Sequence, residues 1–201
     1  EGFVNPVAAE MVARGYDVHL VTGDRTPNAP YPHTSAILPM NRGISPSADV
    51  RSLRHWVSYL RATRPRMVVI GTPKASLLGL TAARLSGVPT RVYVIHGAVW
   101  DGASGRRRRL LEGTERATIG ASTHQLAVSD SLARLISARR LASRPPDVLG
   151  SGSFSGVDVR EFGPAPTINP PGPLEMCFVG RLNRDKGIDV LLDVLDLVRE
   201  H

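Results

Sequence analysis

The chain has one cysteine, Cys177, in 201 residues. An internal disulfide is thereby excluded, and a cysteine-built metal site has no support. Cys177 falls in an apolar run and is expected to be a small buried side chain of a core strand. Aromatic residues make up only 5% of the sequence. No apolar run approaches the ~20 residues that a membrane span needs. No G-x-G-x-x-G stands between a strand and a helix, which disfavours a dinucleotide-dependent oxidoreductase. Acidic residues are the scarcer sign of charge: 18 Asp and Glu stand against 25 Lys and Arg.

What is present suits a folded domain. The chain is 42% hydrophobic and 21% charged, enough for an ordinary core. Its length fits one domain, or one domain and a piece of another. The net charge of +7 and the pI near 10.4 favour phosphate-bearing partners: nucleic acid, anionic lipid headgroups or nucleotide ligands. The densest basic patch is Arg106 to Arg109, followed by Leu110 and Leu111. It has the form of the basic start of an amphipathic helix, either a solvated face or a contact with an anionic membrane surface. A nucleic-acid partner is not expected, because no nucleic-acid module and no interleaved aromatics accompany the patch.

Strand and helix signals alternate along the chain. Helices are expected at Phe3 to Arg14, Ala48 to Thr63, Ala75 to Ser86, Leu110 to Ile119 and Ser129 to Leu141, from apolar residues at helical spacing. Strands are expected at Asp17 to Thr22, Thr34 to Leu38, Met67 to Gly71, Arg91 to His96 and Gln125 to Val128, with another beginning at Val148 and Leu149. Gly15 and Gly87 stop two of the helices, and Ser129 is placed to cap the last of them. Residues 26–33 read as loop. Pro164 to Pro173 contains five prolines and reads as a linker. The alternation predicts an α/β fold with a doubly wound parallel sheet. In such sheets the strand C-terminal ends share one edge, where ligands bind. Gly71 to Lys74, His96 with Gly97, and Ser129 all follow strands, so they are expected to face one crevice.

The C-terminal stretch reads as strand, basic turn and helix. Met176 to Val179 forms the apolar run, Gly180 the close turn, and Arg181 and Lys186 flank it. Asp185 can cap the following helix, whose Ile188, Leu191, Leu192, Leu195 and Val198 share a face. A helix N-terminus with a guanidinium and an ammonium is a candidate diphosphate site; surface cations beside a turn that bind nothing are the alternative.

Four stretches resemble family 4 glycosyltransferases of the GT-B fold. Ala9 to Val21 looks like the first helix and second strand of that family's N-terminal domain. Thr72-Pro-Lys-Ala-Ser-Leu-Leu-Gly-Leu80, with Val88 to Gly97, resembles the capsule and exopolysaccharide branch, the CapM-like or PglA-like enzymes. Gly150-Ser-Gly-Ser-Phe-Ser-Gly-Val-Asp-Val-Arg-Glu-Phe162 resembles that branch's segment before the interdomain linker, with Ser155 where the branch often has Asn. Val179 to Gly187 resembles the donor-diphosphate motif.

The resemblance implies a Rossmann-like N-terminal domain at 1–163 that holds the acceptor, a linker at 164–173, and the start of a nucleotide-sugar domain at 174–201. It implies a retaining transfer of a hexose or N-acetylhexosamine from a UDP-sugar to a polyprenyl-diphosphate-linked or saccharide acceptor, at the cytoplasmic face of the cell membrane. No cofactor or metal is implied. Arg181 and Lys186 would bind the donor diphosphate with Gly180 and stabilise the leaving UDP. His96 would hydrogen-bond the transferred sugar, and Lys74 and Arg91 are weaker acceptor candidates. The family's first strand with its glycine-rich loop and its glutamate pair have no counterpart here, so residues 1–201 are expected to be inactive alone. Two other classes compete. A basic polyanion-binding module would show steep salt dependence without nucleotide-sugar dependence. A GT-B sugar-nucleotide epimerase would need a placed pair of cleft carboxylates, and none is evident.

Overall fold

The computed structural model describes residues 5–23, 32–40, 43, 45–153, 159, 163, 177–180, 182 and 186–199. The chain divides into two compact units, Glu1–Val157 and Asp158–His201.

The first unit alternates helix and strand in the order α1 (Asn5–Ala13), β1 (His19–Thr22), β2 (Thr34–Ile37), α2 (Pro46–Thr63), β3 (Met67–Ile70), α3 (Pro73–Leu85), β4 (Thr90–Ile95), α4 (Gly105–Ala121), β5 (His124–Ala127) and α5 (Asp130–Ala138). Every strand pairing is parallel. The strands form two sheets, one of β1 and β2 and one ordered β3-β4-β5, where the sequence predicted one. Among the described residues no strand joins β1 to β3.

Local chemistry sets the helix ends. Pro46 and Pro73 occupy the first turns of α2 and α3, where a missing N–H costs nothing. This starts both helices two residues earlier than their apolar periodicity suggests. Helix α2 stops at Arg64, which adopts a left-handed conformation (φ 46°). Pro65 follows it and disfavours further helix. Gly87 ends α3 at φ 74°. Ser129 caps α5 by accepting from the Leu132 N–H at 3.3 Å.

Two cores hold the unit. Trp56, Leu60, Ala82, Ala83, Leu38 and Val88 join α2 and α3 to the start of the fold. Leu80, Tyr93, Ile95, Trp100, Ile119 and Ile136 join α3, β4, α4 and α5. Each such large apolar side chain contributes roughly 1.5–3 kcal/mol by burial.

Two expected strands are not formed. The one beginning at Val148 reduces to a single parallel bridge between Leu126 and Asp147. Asp147 uses both its backbone groups on Gln125 and Ala127, and no longer ladder follows. In the second unit, Cys177 to Val179 carry no strand pairing. Cys177 is exposed, because no described strand lies beside it to bury it. Met176 lies outside the described residues. The second unit's helix, α6 (Ile188–Arg199), forms where predicted, and Ile188, Leu191 and Leu195 are its more buried positions.

Candidate active site

The register of the three-stranded sheet brings three strand ends together. Ile70 of β3 lies opposite Tyr93, and Ile95 of β4 lies opposite Ala127. Gly71, His96 and Val128 therefore follow neighbouring parallel strands and share one edge. Of the residues expected to face one crevice, Gly71 and His96 come together at this edge.

His96 rests against Gly71. A Cβ built on Gly71 would lie 2.6 Å from His96 Nε2, 2.9 Å from its Cδ2 and 3.3 Å from the Val94 carbonyl oxygen. Partial burial of the ring lowers the His96 pKa below its ordinary value. The shift favours the neutral imidazole, which carries one donor and one acceptor nitrogen. The segment after His96 is pinned from below. Trp100 is 0% exposed and sits in the core with Leu80, Tyr93 and Ile95. Asp101 N–H donates to the Ala98 carbonyl at 3.0 Å, and Ala103 N–H to that of Trp100 at 3.1 Å.

The third strand end is covered by the glycine-rich segment that resembles the capsule branch. Ser153 N–H donates to the Val128 carbonyl at 2.7 Å. Gly152 has φ +93°, and a Cβ there would stand 2.7 Å from the same oxygen. Only glycine meets both the conformation and the approach. Residues 154–158 lie outside the described residues. The Ser129 hydroxyl is engaged with the Leu132 N–H and, at 2.9 Å, with Ser131 Oγ.

The other predicted residues have settings of their own. Lys74 Nζ forms an ion pair with Asp49 Oδ1 at 2.6 Å and donates to the Gly43 carbonyl. Its hydrogen bond holds the Asp49 carboxyl below the usual carboxylate range, against partial desolvation and with help from the Ser45 N–H. Arg91 lies at the opposite, N-terminal end of β4. Its Nε donates to the Ala121 carbonyl at 2.6 Å and its Nη1 to that of Val88 at 2.6 Å. Lys186 is exposed just before α6, in the second unit. Gly180 is exposed beside the Phe178 ring. Arg181 and Asp185 lie outside the described residues.

Sequence reasoning missed a buried acid beneath the site. Tyr93 Oη donates to Glu115 Oε1 at 2.9 Å, and Glu115 is 7% exposed. Desolvation raises both groups' pKa values, and for Glu115 it outweighs the opposing effect of the Tyr93 hydrogen bond. The arginine run forms the first turns of α4. Arg106, Arg107 and Arg109 are exposed, and Arg108 Nε pairs with Glu112 at 3.2 Å. Among the described residues no helix is long and apolar enough to cross a membrane.

Known proteins share this pattern. Residues 3–152 match the family described as Glycosyltransferase Family 4. The capsular polysaccharide biosynthesis glycosyltransferase CapM of Staphylococcus aureus is 29% identical over 199 residues, covering 92% of this chain and 51% of that protein. The chain thus spans about half the length of this curated relative. With most of its residues in the family match, and with the parallel strands of a Rossmann-like GT-B N-terminal domain, the chain belongs to Glycosyltransferase Family 4.

Proposed function

We propose that the chain serves a retaining glycosyltransferase of surface polysaccharide assembly. The donor is a UDP-linked hexose or N-acetylhexosamine, and the acceptor is a polyprenyl-diphosphate-linked saccharide. The observation that carries this reading is a histidine seated against a glycine at the strand C-terminal edge of a family 4 sheet. The part that CapM plays in capsular polysaccharide biosynthesis supports the product class.

In the reaction the bond from the anomeric carbon to the UDP oxygen breaks. A bond from that carbon to an acceptor hydroxyl oxygen forms, and the hydroxyl proton is released. UDP departs with the bonding electrons. His96 holds a hydroxyl of the transferred sugar. Lys186 and Arg181, with the Gly180 backbone, take the diphosphate and offset its growing charge, so the proposal invokes no metal. Lys186 is exposed beside the start of α6, where helix N–H groups and the dipole favour an anion. Lys74 and Arg91 receive no substrate role, because their donors are already directed at Asp49 and at backbone carbonyls.

The same reading places the protein peripherally at the cytoplasmic face of the membrane. Four arginines open α4, and no acid stands in its first turn. Cations there oppose the helix dipole. An anionic lipid surface compensates that cost and also accepts the exposed Leu110.

The test is UDP release by the full-length protein from a panel of UDP-sugars, with and without lipid-diphosphate-linked saccharides. Release is expected to depend on the acceptor and to vanish in Lys186→Ala while the fold is retained. Absence of release with every donor, in folded protein, would overturn the reading and favour the polyanion-binding alternative.

A further inference from the structure

We infer that Gly71 is the positioning residue for His96: the missing side chain at the end of β3 makes the seat on which the imidazole rests. The functional weight of this seat rests on the role proposed above for His96; its geometry does not.

Gly71 is not among the glycines with positive φ. Its backbone conformation is open to any residue, so what glycine supplies here is space. An alanine Cβ would fall 2.6 Å from His96 Nε2 and 2.9 Å from Cδ2. Ordinary carbon contacts begin at about 3.5 Å, so something must move by on the order of 1 Å. The backbone on either side of His96 is held. Ile95 is 0% exposed and registered against Ala127, and Trp100 is locked in the core. On its other side the added methyl would face the Val94 carbonyl at 3.3 Å, a wall belonging to the central strand. The imidazole can turn about two side-chain bonds, so the ring yields. Gly71→Ala therefore changes where the ring stands while leaving the sheet intact.

The consequence is twofold. A reacting or orienting group displaced by about 1 Å loses on the order of 100-fold in rate. A ring pushed off its seat also regains water, and its pKa returns toward the ordinary histidine value.

The test begins with NMR on the 201-residue chain. Wild type is expected to show a nuclear Overhauser contact between Gly71 Hα and His96 Hδ2; its absence overturns the seat without any mutation. In Gly71→Ala the His96 ring resonances should shift and its titration midpoint should rise. The backbone amide spectrum should otherwise be unchanged, which reports that the fold is kept. An unchanged His96 ring in folded Gly71→Ala overturns the inference. In the full-length protein Gly71→Ala should lower kcat/KM about 10–100-fold, and this loss should disappear in a His96→Ala background. An equal loss in both backgrounds overturns the positioning role. Full activity of His96→Ala would instead overturn the proposed role of His96, while the NMR result would still decide the seat.

Discussion

The two ends of β4 carry the two kinds of polar residue that this fold makes. Arg91 and His96 are five residues apart on one strand or just past it, roughly 16 Å along an extended chain. At the N-terminal end, Arg91 turns its guanidinium onto the Ala121 and Val88 carbonyls. Its N–H meets Thr123 Oγ1 at 2.8 Å, and the Thr123 N–H returns to the Arg91 carbonyl at 2.8 Å. That end clips α4 and the α3–β4 connection to the strand. At the C-terminal end, His96 is exposed and rests against Gly71 beside a turn. At one end a cation directs its donors at backbone carbonyls; at the other an imidazole rests against a glycine at the C-terminal edge of a parallel sheet, the edge where such sheets hold ligands.

Exchanging the losses at the two ends is the sharpest way to break this comparison. His96→Ala should lower UDP release by about 100–1,000-fold, the scale of one preorganised donor, with stability changed by less than about 0.5 kcal/mol. Arg91→Met should do the reverse. It leaves two carbonyls without their charged donor and should cost about 2–3 kcal/mol, with turnover per folded molecule retained. Urea unfolding and turnover on the same samples read both. A stable Arg91→Met that has lost turnover would return Arg91 to the acceptor site and dissolve the contrast.

Tyr93, between the two ends, sharpens it further. Its hydroxyl is the buried donor to Glu115 Oε1. Tyr93→Phe keeps the ring but leaves an acidic group buried without that donor, and should cost about 1–2 kcal/mol. The His96 ring resonances should stay in place. If they move as far as in Gly71→Ala, the middle of the strand also serves the site, and the division between structural and ligand-binding ends is less sharp.

Much of this was legible in the sequence, for reasons that can be named. The alternation of apolar runs and glycine stops places Gly71, His96 and Ser129 after strands, and parallel pairing then gathers them without further information. Pro46 and Pro73 were readable as helix starts, although the apolar period begins after them. Other features depend on pairings that are distant in sequence. Glu115 lies in an arginine-rich helix and reads as solvated; its burial is decided by Tyr93, 22 residues away. Arg91 looks like a free cation until Ala121 is folded beside it. Trp100, in a glycine-rich loop, gives no periodic signal, yet it anchors the segment that carries His96. The apolar run at Cys177 to Val179 reads as a buried strand, but burial needs a neighbouring strand, and the described residues offer none.

The smallest effect separates the buried acid from its tyrosine. Desolvation is the leading influence on Glu115, and it raises the folded-state pKa above the ordinary value of 4.5. The folded protein therefore holds the Glu115 proton more tightly than the unfolded chain. The resulting stability is fully present below about pH 4.5 and is lost as pH rises through the folded-state value. Glu115→Gln keeps a carbonyl oxygen to accept from Tyr93 and removes the charge. The variant should be more stable than wild type by about 1 kcal/mol near neutral pH, and the difference should shrink as pH falls toward 4.5. Thermal melts of both proteins across that range measure it. A difference that grew toward low pH would mean that the Tyr93 hydrogen bond, not desolvation, governs the carboxyl. The middle of β4 would then be held together by its charge rather than in spite of it.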